Sequence, residues 1–209
     1  MVRMGNLRFS RADFDVFSIE GFSARMEKIH ELIRPRLMRL GSELAPELAR
    51  KLKMEFFPHV AKHMRATASP PAETWIAWGP SPTGYKRYGY LALCISGAGI
   101  HARAIVKAEA PGRVEIGQML KSKADALEKS FRGTRIQRYD KWDCINWPKR
   151  LPANAELFTA LGASLEKKTG ALDVGFGWGL RDASRLDRNE VLDAFGELEP
   201  LYRVLRGVE

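Results

Sequence analysis

Four short apolar segments between residues 57 and 108 constrain the fold of this chain more than any other feature. They are rich in aromatic and β-branched residues, and the turn-forming stretches TASPPAE, GPSPTGYKR and SGAG separate them. The segments read FPHVAKHMR, TWIAW, YGYLALCI and GIHARAIVKA. Short segments of this composition, joined by turns rich in Gly, Pro and Ser, are typical of an antiparallel meander. The sequence therefore predicts four consecutive strands in a mainly antiparallel sheet.

Helical patterns flank these strands on both sides. Apolar residues recur at spacings of three and four from Met26 to Leu40, which predicts a helix that Pro35 kinks and Gly41 ends. Further helices are expected over roughly 11–17, 43–54, 116–131 and 154–168, and from Asp187 to an interruption at Pro200. No stretch rich in Pro, Gly and Ser and no low-complexity segment separates two halves of the chain. The sequence thus predicts one α+β domain over residues 1–209, with helices flanking the sheet.

A further strand is expected where large apolar residues alternate with an acid and glycines, in LDVGFGWGL at 172–180. One of its faces carries Asp173, Gly175, Gly177 and Gly179. Three glycines on one face of a strand indicate that a helix or another backbone packs very close there, and less often a ligand. The spacing does not match a dinucleotide-binding fingerprint, since no helix with a later acid follows directly.

The charge of the chain is unevenly distributed. Residues 1–150 carry 27 Lys and Arg against 15 Asp and Glu, a net +12, whereas residues 151–209 carry 7 against 10, a net −3. A basic surface favours a polyanionic partner, although a merely solvated basic surface has the same composition. The first residues lack a secretory signal pattern, and the longest apolar region is broken by polar residues. We therefore expect a cytoplasmic protein with no membrane partner, in which Cys94 and Cys144 are free, buried thiols.

Two histidines four residues apart, His59 and His63, are the first candidate site. A separation of four places them on one face in either a helix or a strand, and a strand adds Arg65 to that face. His101 and Arg103 likewise share a strand face further along, together with Lys107. The sheet would then have one apolar face and one cationic face. That cationic face is either a solvated surface or an anion-binding groove.

The hairpin loop after the second strand adds more cations. Lys86 and Arg87 follow Tyr85 there, and aromatic residues beside cations are typical of loops that stack on a ring or bind a phosphate. The connecting segments are short enough to bring this loop back across the first strand. The candidate anion-binding residues are therefore His59, His63, Arg65, Lys86 and Arg87.

The sequence lacks the other common signatures of chemistry. A zinc site needs at least three protein ligands, and no nearby Cys, His or carboxylate completes the His59 and His63 pair, so we predict no metal and no cofactor. Three hypotheses remain: a protein that binds a phosphorylated small molecule or nucleic acid on the cationic face, an enzyme with His59 or His63 as acid or base, and a structural protein without a ligand.

Several motifs resemble the YktB-like family of uncharacterised bacterial proteins. They are DFDVFSIEGFSARM, IRPRL, HVAKHMRATASPPAETW and GYKR, and they span roughly residues 7–90. The resemblance implies one cytoplasmic α+β domain with a topology like the catalytic domains of biotin ligases and class II synthetases, and it implies no activity. The family carries a Pro-His pair after GYKR, where this chain has Tyr88-Gly89-Tyr90. A function that depends on that histidine would be lost or altered here.

Overall fold

One seven-stranded sheet organises the molecule. The computed structural model describes residues 7, 9–63, 69–140, 142, 144 and 147–208. The strand order is β1-β2-β3-β4-β7-β5-β6, and every pairing in it is antiparallel. The strands are β1 Phe57–Val60, β2 Glu73–Gly79, β3 Tyr90–Ser96, β4 Gly99–Val106, β5 Arg135–Arg138, β6 Arg150–Pro152 and β7 Leu172–Gly179. The predicted meander is confirmed as β1 to β4, which are consecutive in the sheet.

The helices precede, interrupt and follow the strands. They are α1 Arg11–Asp15, α2 Phe22–Lys28, α3 Arg34–Leu52, α4 Arg113–Ser122, α5 Ala124–Ser130, α6 Ala155–Glu166, α7 Leu180–Ala183, α8 Arg188–Glu197 and α9 Glu199–Arg206. A π-helical turn, Ile29–Ile33, joins α2 to α3, and two 3-10 turns lie at Val16–Ser18 and Tyr85–Arg87. The α+β class with a mainly antiparallel sheet and flanking helices is therefore confirmed. The likeness in topology to biotin ligases and class II synthetases stays a prediction.

One face of the sheet, called the helix face here, forms the main hydrophobic core with the helices. The strands alternate, so β2 contributes Ile76 and Trp78 to this core, and β7 contributes Leu172 and Val174. Leu44 and Leu48 of α3, Phe195 of α8 and Leu201 of α9 belong to the same cluster, among others. The opposite face is called the second face, and it carries the residues that matter for the candidate sites.

Gly41 does not end the long N-terminal helix, contrary to the sequence prediction. α3 continues through it to Leu52, so the helix predicted from Met26 to Leu40 and the one predicted at 43–54 are joined. A Cβ at Gly41 would lie 2.7 Å from the Ile76 Cδ1 and 3.1 Å from the Pro58 Cβ. The glycine therefore permits α3 to approach β1 and β2 closely, and the Gly41 carbonyl accepts a hydrogen bond from the Trp78 indole. Close packing against β1 and β2 keeps Gly41 inside the helix, whereas the intrinsic propensity of glycine alone favours a helix end there.

Smaller differences lie at other element ends. β1 stops at Val60, so the first strand is shorter than the 57–65 expected, and β6 was not predicted. The helix expected over 116–131 is divided between α4 and α5, and Pro200 lies in the first turn of α9, where its missing N–H costs nothing. Over the described residues, no helix has the length and apolar character needed to cross a membrane.

Candidate functional site

A pocket of about 900 Å³ lies beside the edge strand β1, and we call it the His59 pocket. The start of α3 forms one wall, β1 and β2 form the base, and the loop before β3 forms the other wall. The described lining residues are Arg34, Met38, Ser42, Pro58, His59, Val60, Ala61, Lys62, His63, Trp75, Ile76, Pro82, Thr83, Gly84, Tyr85, Lys86 and Glu109. The pocket therefore combines an apolar base with a rim that is rich in cations. Its volume suits a ligand of nucleotide size.

His59 is fixed on β1 by two contacts to the loop opposite. Its Nε2 lies 2.8 Å from the Ser81 carbonyl oxygen, and its ring stacks on Tyr85 with centroids 4.7 Å apart. A carbonyl oxygen only accepts, so His59 Nε2 donates and carries the hydrogen. In the neutral ring Nδ1 is then the acceptor. His59 thus both holds the loop against β1 and lines the pocket.

His63 lies just beyond the end of β1, with a left-handed backbone φ of 49°. Its Nε2 is 3.0 Å from the Thr74 Oγ1, and its ring makes a T-shaped contact with Trp75 at a centroid distance of 5.4 Å. Burial is the largest influence on this imidazole and lowers its pKa below the ordinary value, with Glu73 acting in the opposite direction. His63 is therefore neutral at pH 7 and oriented by its neighbours.

Trp75 and Tyr85 form the aromatic wall between the two histidines. The Trp75 indole Nε1 donates to the Tyr85 hydroxyl over 3.0 Å, which ties the loop to the second face of β2. The Lys86 ammonium lies 5.6 Å from the centre of the Trp75 ring, within the range of a cation–π contact. This contact holds Lys86 at the pocket, as the sequence predicted for the loop.

Arg34 lines the pocket, although no motif in the sequence marks it as a site residue. It is the first residue of α3, directly after the π-helical turn, and its Nη1 donates to the Ala61 carbonyl over 3.0 Å. Pro35 lacks an N–H, which favours a distorted turn just before it. π-Helical turns are frequent at functional sites. The kink predicted at Pro35 was the signal available in the sequence, since it alters the direction of the helix next to β1.

The structure brings together three of the five predicted anion-binding residues. His59, His63 and Lys86 line the same pocket. Arg87 is exposed and is not among the described lining residues. Arg65 lies outside the described residues. The part that these five residues play in anion binding stays a prediction.

The second face of the sheet is not the wet cationic face that the His101 and Arg103 pattern suggested. His101 is 0% and Arg103 is 1% exposed. Arg103 forms a two-pronged ion pair with Glu73, at 2.6 and 3.2 Å, and a longer contact to Asp173 at 3.4 Å. The sequence pattern placed these side chains on one face correctly. It gave no sign that carboxylates and rings from distant segments would cover them.

Aromatic rings cover this cluster, which we call the Arg103 cluster: Glu73, Tyr90, His101, Arg103, Tyr139, Trp142 and Asp173. The Arg103 guanidinium lies 4.1 Å from the centre of the Tyr139 ring and 5.3 Å from that of Trp142. The Tyr139 hydroxyl donates to the Gln137 Oε1 over 2.8 Å, so it accepts from the His101 Nδ1, which is 3.2 Å away. Burial, followed by the charge of Arg103, lowers the pKa of His101 well below its ordinary value.

The bare face of β7 makes room for this network. A Cβ at Gly177 would lie 2.7 Å from the His101 Nδ1 and 2.9 Å from both the Gln137 Oε1 and the Tyr139 hydroxyl. At Gly175 the close neighbour is backbone, the Ala102 carbonyl oxygen at 2.0 Å. That backbone belongs to β4, the neighbouring strand in the sheet, whereas over Gly177 polar side chains occupy the space where a helix or another backbone was expected.

Metal and thiol chemistry find little support in the described part of the chain. Within it, no three His, Cys, Asp or Glu side chains converge as a metal site would require, and the absence of a bound metal stays a prediction. Cys94 is a buried free thiol, as predicted, and burial raises its pKa well above the usual value. Cys144 is half-buried.

The fold and the pocket define an α+β protein with a cationic and aromatic pocket at the edge of an antiparallel sheet. The model of the family described as "Domain of unknown function (DUF1054)" matches residues 9–202, so the chain belongs to this family. A UPF0637 protein of Bacillus velezensis is 31% identical over 98% of this chain and 100% of its own length. UPF0637 proteins of Lysinibacillus sphaericus and Staphylococcus aureus are each 42% identical over 40% of this chain, covering 39% and 41% of their own lengths. The resemblance to the YktB-like family is confirmed.

Proposed function

We propose that the His59 pocket binds a phosphorylated small molecule that carries a planar ring. One observation carries the proposal: Arg34, Lys62 and Lys86 line a single pocket whose wall is Trp75 and Tyr85. A phosphate alone would leave most of a pocket of about 900 Å³ unfilled. Rings stack on aromatic side chains, and phosphates accept charge-assisted hydrogen bonds from Arg and Lys.

The three cations of the rim are available to a ligand. None of them forms an ion pair with another described residue, unlike most of the buried or half-buried arginines elsewhere in the fold. The described lining holds one carboxylate, Glu109, against these three cations. The pocket therefore presents net positive charge to solvent, which attracts anions and accelerates their encounter at low salt.

His63 adds a dependence on pH. In the free protein His63 is neutral at pH 7, since burial lowers its pKa. A bound phosphate favours the protonated form of a nearby imidazole and raises its pKa. Binding is therefore linked to proton uptake, and affinity increases as the pH falls through the histidine range. Added salt lowers it.

A second candidate is an enzyme that uses His63 as a general base. The specific observation is that this imidazole is neutral, half-buried and fixed by Thr74 Oγ1 at the side of the pocket. Those are properties of a general base that works near neutral pH. Turnover that is lost in the His63→Ala variant while ligand affinity persists would favour this candidate.

The test is a calorimetric titration with four probes: AMP, adenosine, ribose 5-phosphate and a short single-stranded oligonucleotide. We expect AMP to bind more tightly than either of its halves, and Lys86→Ala and Arg34→Ala to lower its affinity about tenfold or more. Arg87→Ala is the matched control, because Arg87 is exposed on the same loop and lies outside the described lining.

Three results would overturn the proposal. Equal affinities for AMP in wild type, Lys86→Ala and Arg34→Ala would remove the pocket from binding. If no probe binds, the His59 pocket is a solvated surface without a ligand. Oligonucleotide binding that AMP does not compete with would favour nucleic acid as the ligand.

A further inference from the structure

The Arg103 cluster contains three buried polar atoms that lack a hydrogen-bond partner among the described residues. They are the Tyr90 hydroxyl, the Arg103 Nε and the Asp173 Oδ1. Tyr90, Arg103 and Asp173 are 0%, 1% and 5% exposed, so bulk water does not reach these atoms. Leaving a buried polar group unpaired costs about 1–3 kcal/mol, and more when it is charged. Three such atoms in one cluster indicate a ligand that satisfies them together.

Strand pairing places the three side chains on one patch of the second face. Tyr90 is paired with Ile105, and Ile105 is paired with Asp173. Tyr90 and Asp173 therefore lie in one row across β3, β4 and β7, on either side of Ile105. Arg103 lies two residues before Ile105 and therefore points to the same face. Gly175 lies opposite Arg103, and the backbone of β4 is packed against it, with the Ala102 carbonyl oxygen 2.0 Å from where a Cβ would be.

The chemistry of the three atoms identifies the ligand class. Arg103 Nε is a donor, the Asp173 carboxylate oxygen is an acceptor, and the Tyr90 hydroxyl is both. An anion is excluded by Glu73 and Asp173, and a metal cation by the guanidinium beside them. A water molecule accepts from Nε, donates to Oδ1 and retains a further bond for a hydroxyl. Buried water commonly makes about three hydrogen bonds of this kind.

We propose that the Arg103 cluster encloses an internal hydration site, in which water bridges Arg103 Nε and Asp173 Oδ1 and hydrogen-bonds the Tyr90 hydroxyl. This site is separate from the His59 pocket and does not depend on the function proposed for that pocket. Glu73 and the Tyr139 and Trp142 rings close it on the side away from the sheet. The water there exchanges with solvent only when this cover opens.

The first test is a high-resolution crystal structure of the full chain. We expect one or more ordered water molecules within hydrogen-bond distance of at least two of the three atoms. Direct contact between Arg103 Nε and Asp173 Oδ1, or a cluster without water density, would overturn the proposal.

The second test counts long-lived internal water in solution by deuterium magnetic relaxation dispersion. Tyr90→Phe removes one partner and is expected to shorten the residence time of this water or to remove its signal. Tyr202→Phe is the matched control, because Tyr202 is also buried but its hydroxyl already accepts from Arg206 Nη1 over 3.1 Å. A relaxation dispersion profile of the wild type that shows no long-lived water would refute the hydration site. Equal profiles for wild type and Tyr90→Phe would also refute it.

Discussion

Replacing the buried carboxylate Asp173 by the neutral Asn should make this protein less sensitive to rising pH. Arg103 carries one positive charge in the cluster, while Glu73 and Asp173 together carry two negative charges when ionised. The pKa of Asp173 is raised to about 6, mainly because burial penalises its charged form, and Arg103 and Lys107 oppose that effect. Glu73 and Asp140 add to it. The Asp173→Asn substitution would keep the shape of the side chain and remove the surplus charge.

The magnitude follows from the shift in pKa. The folded value of about 6 lies above the ordinary 3.8, and at about 1.4 kcal/mol per pKa unit the difference corresponds to about 3 kcal/mol. Since the folded pKa is the higher one, the folded state binds more protons between the two values. The contribution of Asp173 to the free energy of unfolding therefore falls as the pH rises from about 4 to about 6, and its full penalty is present above that range.

His101 contributes with the opposite sign, so the difference between two proteins is the quantity to measure. Its folded pKa is lowered, hence its stabilising contribution is present above the ordinary 6.5 and is lost as the pH falls. This contribution is common to wild type and Asp173→Asn, and it cancels in the difference. We expect the variant to gain about 2 kcal/mol relative to wild type as the pH rises from about 4.5 to about 7.5, which is the larger part of the full difference of about 3 kcal/mol.

Urea denaturation of both proteins across this pH range measures the difference directly. Asp182→Asn is the control, since Asp182 is exposed on α7 and its replacement should give a nearly constant offset. A difference between wild type and Asp173→Asn that stays flat with pH would refute the reasoning. It would mean that Arg103 fully compensates the buried carboxylate at every pH.

Three further predictions concern other residues. Arg103→Met should lower the free energy of unfolding by about 3–5 kcal/mol, because it leaves Glu73 and Asp173 without their cation, and a loss below about 1 kcal/mol in urea denaturation would contradict the ion-pair account. Gly177→Ala should cost about 1–3 kcal/mol, because the new methyl group would lie against His101, Gln137 and Tyr139. The control Gly112→Ala places its Cβ in open space, and thermal unfolding in which the two variants behave alike would exclude crowding at Gly177. Elemental analysis of the purified protein should find no stoichiometric zinc, and about one zinc per chain would show that His59 and His63 recruit ligands that the described residues do not reveal.

The sequence alone determined the elements with strong local patterns. Alternation fixed β7, and turn chemistry fixed the meander from β1 to β4, because the side-chain period of a strand and the φ demands of Gly and Pro are local properties. The same period placed His101 with Arg103 on one face. His59 and His63 line one pocket, but the strand face predicted for both was wrong for His63, because β1 ends at Val60 and His63 has a left-handed backbone. The family resemblance was also visible in the sequence, through motifs in its first half.

Only the tertiary structure decided which of these faces is buried. Periodicity cannot tell a wet face from a covered one, and Arg103 is covered because Glu73, Asp173 and Tyr139 reach it from positions 30 or more residues away in the chain. Arg34 lines the pocket for the same reason, since it lies 27 residues from its partner Ala61. Gly41 remains helical because contact with Ile76 and Pro58 outweighs its poor propensity. Interactions between distant segments set the burial, and burial sets the pKa of His63, His101 and Asp173.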